Sequence, residues 1–176
     1  MGCDIHGVWE CKLPNGIWVA FSGINDDRSY EWFGILSGVR RYGPRCDSEP
    51  WNPCEHPEDA GEYWLRVCEG GDLHSHTLIT IPALRQANEE FRMTLEEWAK
   101  EDDELTVETT DHEPVPDLDE TVRAVWLGAT ANPDIFDLKP NELQLGVPLR
   151  DVLGLGPEAT LDDAAHLIRM VVAYDS

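Results

Sequence analysis

The chain of 176 residues carries 35 acidic against 13 basic side chains, a formal net charge of −22 and a pI near 4.3. A field of that sign repels phosphate backbones and excludes a broad grip on duplex nucleic acid. With 41% hydrophobic residues and seven tryptophans the composition is globular, and the length suits a single domain, 1–176, that needs no disulfide or metal to hold it together.

No apolar run is long enough to cross a bilayer, and no basic-then-apolar leader opens the chain. The expectation is a soluble protein, without a membrane partner, that stays in the cell that makes it. Met1-Gly2 suggests myristoylation, but His6 and Gly7 stand where that signal needs Ser or Thr. The surplus of acids serves solubility, and it is compatible with a metal, a basic protein or a small ligand in a locally basic pocket. Five scattered cysteines, an odd number, argue for a reducing compartment and against a disulfide framework. Cys46, Cys54, His56 and Cys68 are enough donors for a zinc site, although no pair has the short spacing usual in structural zinc sites.

Residues 3 to 10 alternate as a strand does, and Leu13-Pro14-Asn15-Gly16 supplies a turn before Ile17-Trp18-Val19-Ala20-Phe21, so a β-hairpin opens the chain. Asn25-Asp26-Asp27 starts a helix over 28–41. In it Tyr30, Phe33, Ile35 or Leu36, and Val39 or Arg40 fall at helical spacing and lay an aromatic stripe on the sheet. From 42 to 71 the abundance of Pro, Gly, Cys and acids predicts a long irregular excursion, with at most a short helical turn near 60–67. Arg40, Arg41 and Arg45 form a basic cluster at its root. Arg40 and Arg45 are candidates to receive a small anionic ligand, or else they pair with the surplus acids.

A strand over 73–81 follows, then a helix over 82–100 capped by Thr80, with Pro82 in its first turn and Leu84, Ala87, Phe91, Leu95 and Trp98 as its apolar stripe. Glu101-Asp102-Asp103-Glu104 sits badly at a helix carboxyl end and reads as solvated charge. A short strand over 105–109, a Pro-rich stretch, a short helix through Val122, Val125 and Trp126 and further loop lead to Thr160-Leu161-Asp162-Asp163, a capping-box-like helix start. A buried strand over 167–174 closes the pattern. The fold class is α+β: a mixed or antiparallel sheet containing the N-terminal hairpin and the C-terminal strand, with helices packed on it.

The chemistry concentrates in two short stretches, Gly2-Cys3-Asp4-Ile5-His6 and Asp72-Leu73-His74-Ser75-His76-Thr77. Strand alternation sets Asp4 and His6 on one face, and likewise sets His74 and His76 side by side. If the two strands meet, one carboxylate and three imidazoles converge, a set suited to a divalent metal such as zinc or manganese. Asp4, His6, His74 and His76 are then both the metal ligands and the catalytic residues of a small hydrolase acting on a phosphate-containing substrate. The metal activates a water, and Arg40 or Arg45 orients the anion. The same residues also suit the solvated face of a sheet. Cys3 is an alternative nucleophile beside a histidine, although its alternation with Ile5 points to a buried, inert thiol. The competing class is a non-enzymatic binder that sequesters a nucleotide ligand or a host protein.

Four blocks resemble, in order, those of a family of bacteriophage and prophage proteins with an N-terminal MGCDIH motif. They are Met1-Gly2-Cys3-Asp4-Ile5-His6, then Arg28-Ser29-Tyr30 leading to Phe33-Gly34-Ile35-Leu36-Ser37-Gly38-Val39-Arg40, then His74-Ser75-His76-Thr77-Leu78, and last Ile168-Arg169-Met170-Val171-Val172-Ala173-Tyr174-Asp175. The resemblance implies a phage accessory protein made in the host bacterial cytoplasm, and implies no particular activity. The chain departs from the family pattern after the first helix, where the Cys-rich excursion stands. Asp72-Leu73-His74-Ser75-His76-Thr77 and Thr110-Asp111-His112 also resemble the first two metal motifs of the polymerase-and-histidinol-phosphatase phosphoesterases. Their mid-chain position, with His166 alone downstream for the later ligands, makes that likeness a coincidence.

Overall fold

The computed structural model describes residues 4–24, 30–39, 57–69, 71–101, 122, 126–127 and 147–175. Strands β1 (Ile5–Lys12) and β2 (Trp18–Gly23) form the opening hairpin. Helix α1 (Tyr30–Ser37), helix α2 (Glu62–Glu69), strand β3 (His74–Thr80) and helix α3 (Ile81–Glu101) follow. A one-turn helix α4 (Leu149–Val152) and a 3-10 turn (Ala165–Leu167) then lead into β4 (Ile168–Tyr174). The sheet has four strands in the order β2-β1-β4-β3, and each neighbouring pair is antiparallel. This is an α+β arrangement of an antiparallel sheet with helices packed against it. Among the described residues no helix is long and apolar enough to cross a membrane.

The hairpin closes where the Asn-Gly signal lies: Gly16 takes φ +87°, its N–H donates to the Leu13 carbonyl, and Asn15 Oδ1 accepts from the Ile17 N–H. Helix α3 begins one residue before the expected start, with the Ala83 N–H turned toward Thr80 Oγ1. Leu84, Ala87 and Phe91 of its predicted stripe are buried. Helix α1 ends at Ser37, before the expected end at 41; beyond it Gly38 takes φ +71° and donates its N–H to Gly34 O. The expected strand over 105–109 and the Cys-rich residues 42–56 lie outside the described residues.

Both faces of the sheet are covered. On the first face Ile5, Trp9, Cys11 and Phe21 join Ile168, Met170, Val172 and Tyr174 under α1, α3 and α4. On the second, Val8, Ala20, Val171 and Ala173 pack against Tyr63 and Trp64 of α2. This second layer is the main departure from the sequence pattern. Segment 60–67 was expected to hold at most a helical turn, yet its apolar residues find the second face of the sheet and an eight-residue helix forms. Because β4 is covered on both sides, all seven of its residues are buried, and it reads as a continuous apolar run.

The exception within that run is Arg169, 3% exposed. Its Nε donates to Glu10 Oε2 at 2.8 Å, one terminal nitrogen donates to Asp59 Oδ1 at 2.7 Å, and the other to the Asp59 carbonyl at 2.9 Å. The guanidinium also lies 3.8 Å from the centre of the Trp18 ring, whose indole N–H donates to Asp59 Oδ2. Glu10 is itself fully buried and takes the Gly61 N–H on its other oxygen at 2.7 Å. Burial lifts the Glu10 carboxyl above its usual range, against the opposing pull of Arg169 and of the Gly61 N–H. The Arg169 guanidinium holds the Asp59 carboxyl below its usual range. This network fastens the segment before α2 to the sheet. Gly61 is required there by space, since a Cβ would lie 2.7 Å from Glu10 Oε1 and 3.0 Å from the Trp18 carbonyl.

Arg169→Met leaves Glu10 buried without its cation and is expected to cost about 3–5 kcal/mol in urea unfolding. Adding Glu10→Leu to that variant should recover part of the loss, because it removes the orphaned charge. Gly61→Ala is expected to cost about 1–3 kcal/mol by the same measurement, since the added methyl group has no space.

Candidate functional site at the end of β4

Pairing of β1 with β4 sets Ile5 opposite Tyr174 and His6 opposite Ala173, so Asp175, two residues past Ala173, comes to the His6 face of the sheet. Asp175 Oδ1 accepts the Asp4 N–H at 2.9 Å, and the Asp175 N–H returns a bond to the Asp4 carbonyl. Its other oxygen, Oδ2, lies 3.1 Å from His6 Nε2. The His6 and Asp175 side chains are 36% and 45% exposed, so a solute can reach the pair. In the tautomer that Asp175 favours, Nε2 carries the hydrogen and donates it, and Nδ1 presents its lone pair.

On the other face, the Tyr174 hydroxyl is buried against Ser37 Oγ at 2.8 Å, at the carboxyl end of α1. The His74 ring lies 6.4 Å from the Tyr174 ring, centre to centre, and His74 Nδ1 is 2.9 Å from Ser75 Oγ. His76 belongs to a different neighbourhood. Its ring meets Trp64 edge-on at 6.2 Å, and its Nδ1 is 3.9 Å from Cys68 Sγ, both on α2.

The expected convergence of Asp4, His6, His74 and His76 therefore does not occur, for two reasons. Strand β4 stands between β1 and β3, which sets those strands two spacings apart, about 10 Å. In addition the β3 register slips between His74, opposite Tyr174, and Thr77, opposite Val172. Three steps along β3 match two along β4, and Ser75 takes φ +54° at the bulge. The extra residue reverses the alternation, so His74 lies with Tyr174 on the first face while His76 lies with Trp64 on the second. Among the described residues no group of three or more His, Cys, Asp or Glu side chains is placed to hold a metal ion. Arg40, Arg45 and Cys3 lie outside the described residues. So do Cys46, Cys54 and His56 of the zinc alternative. His166 is exposed in the 3-10 turn, away from either histidine cluster in the sheet register.

The partner that the sequence pattern did not single out is Asp175. Its signal was a carboxylate directly after an apolar strand, at a position sharing the face of Ala173. Which strand that face would meet was not readable. Comparison with protein-family models, with curated proteins and with solved structures finds no match to this chain.

Asp175→Ala removes the acceptor of both Asp4 N–H and His6. The expected outcome is faster hydrogen exchange at the Asp4 amide, with a stability loss of about 1 kcal/mol in urea unfolding.

Proposed function

We propose that the chain is a phage accessory hydrolase acting on a phosphate-containing substrate, with His6 as its proton-transfer residue and Asp175 as the group that orients it. The observation that carries this reading is the half-exposed His6–Asp175 pair, 3.1 Å apart, with the carboxylate held by the Asp4 N–H. A base whose far nitrogen is anchored by a fixed carboxylate is preorganised to take a proton from an attacking water and to return it to a leaving oxygen. Asp175 holds the ring and offsets the charge that develops on it. No step is routed through a metal, because the described residues do not assemble the ligand set expected for one.

A further point supports the location. The segments that carry the phage-family resemblance meet at this end of the sheet: Asp4–His6 lies beside Tyr174–Asp175, His74 lies against Tyr174, and Ser37 of α1 bonds the Tyr174 hydroxyl.

The test is a turnover screen of the full chain against nucleotides and chromogenic phosphate mono- and diesters. His6→Gln is expected to lower kcat by about 10²–10⁴-fold and Asp175→Asn by about 10²-fold or more, with unchanged far-ultraviolet circular dichroism. Tight calorimetric binding of a nucleotide without turnover would replace this reading with that of a sequestering binder. Equal activity in His6→Gln would remove His6 from the chemistry.

A further inference from the structure

The two faces of the sheet are held unequally. The first packs under α1, α3 and α4, whereas among the described residues the buried side chains that cover the second are Tyr63 and Trp64 of the eight-residue α2, set over the short side chains of Val8, Ala20, Val171 and Ala173. The polar fastening is equally uneven. Arg169 and Glu10 belong to neighbouring strands, and their side chains are 4% and 0% exposed. The Asp59 side chain, which comes from the segment before α2, is 63% exposed. When Asp59 departs, Arg169 keeps Glu10, so no buried charge is left without its counter-ion. Separating an ion pair whose one partner already stands in water costs little. Trp64 is fully buried and its indole N–H has no hydrogen-bond partner, so movement of α2 away from the sheet gives that donor the water it lacks.

We propose that residues 57–69 are a lid that leaves the second face of the sheet as a unit while the sheet and its first layer stay folded, with the Asp59–Arg169 ion pair as its latch. A short helix that rests two large side chains on a surface of short ones loses far less apolar contact on opening than the sheet or α3 would lose. The polar contacts that opening breaks are those of Asp59 with Arg169 and with the Trp18 indole N–H, and that of the Gly61 N–H with Glu10. Each of these groups meets water once the lid has left, which offsets the lost bonds. The place of the lid connects it to the His6–Asp175 pair. His6, Val8 and Glu10 alternate onto one face of β1, and His6 lies opposite Ala173. Opening therefore uncovers Ala173 and Val171 next to His6, and sets an apolar floor beside the polar pair. That consequence rests on His6 being the reactive group; the opening itself does not.

The test is native-state hydrogen exchange of the full chain at neutral pH, read by peptide mass without urea and at urea concentrations below the unfolding transition. In the unaltered chain the amides of α2 are expected to be protected at least about 100-fold less than those of β4, with little dependence on urea. Asp59→Ala should speed exchange in α2 by about threefold to tenfold and leave α3 and β4 unchanged. Protection of α2 equal to that of β4, with the same steep urea dependence, would overturn the proposal without recourse to any variant. Equal acceleration of α2, α3 and β4 in Asp59→Ala, or none in α2, would overturn the latch. These readings need no turnover, so loss of the His6 mechanism and loss of the lid are separate outcomes.

Discussion

The placement of β4 between β1 and β3 is the constraint on which the rest of this structure depends. It buries seven consecutive residues, one of them an arginine, and a buried guanidinium without partners would cost several kcal/mol. Glu10 on the neighbouring strand and Asp59 from the segment before α2 answer that charge, with Trp18 stacked on its face. The same contacts hold α2 over the second face of the sheet. A single buried cation thus links the pairing of the strands to the position of a helix remote from them in sequence.

The end of the same strand gathers polar side chains on both faces of the sheet. Tyr174 and Asp175 are adjacent and point to opposite faces, so each gathers a different set of partners. Tyr174 holds Ser37 and lies against His74 within the first layer, whereas Asp175 ties down the Asp4 backbone and orients His6 toward solvent. An imidazole at the end of a sheet, with its carboxylate partner held by a backbone N–H, keeps its geometry without a dedicated loop. Cys11, by contrast, lies in the core with its thiol pushed up to about 12 by burial and by the adjacent Glu10 charge.

Ser75 shows how much one residue can decide. Without the bulge, two histidines separated by one residue would share a face and face the same neighbours. With it, His74 joins the first layer and His76 meets Cys68 and Trp64 on the second. The left-handed backbone at a non-glycine residue is the local strain that accompanies this change of phase.

The pattern of residues by itself determined much of the secondary structure. The Asn-Gly turn marked the hairpin, helical spacing of Leu84, Ala87 and Phe91 marked α3, and a β-rich, largely apolar run marked β4 as a buried strand. These features follow from nearest-neighbour backbone preferences and from which side chains avoid water. It also singled out Asp4, His6, His74 and His76 as the polar groups around which chemistry would gather. Their partners were decided only by tertiary structure. Strand order placed β4 between the two histidine strands, the bulge separated His74 from His76, and the burial of Arg169 drew Asp59 and α2 onto the sheet. Strand order, register slips and the compensation of a buried charge depend on contacts between residues far apart in the chain, and local alternation carries no information about those.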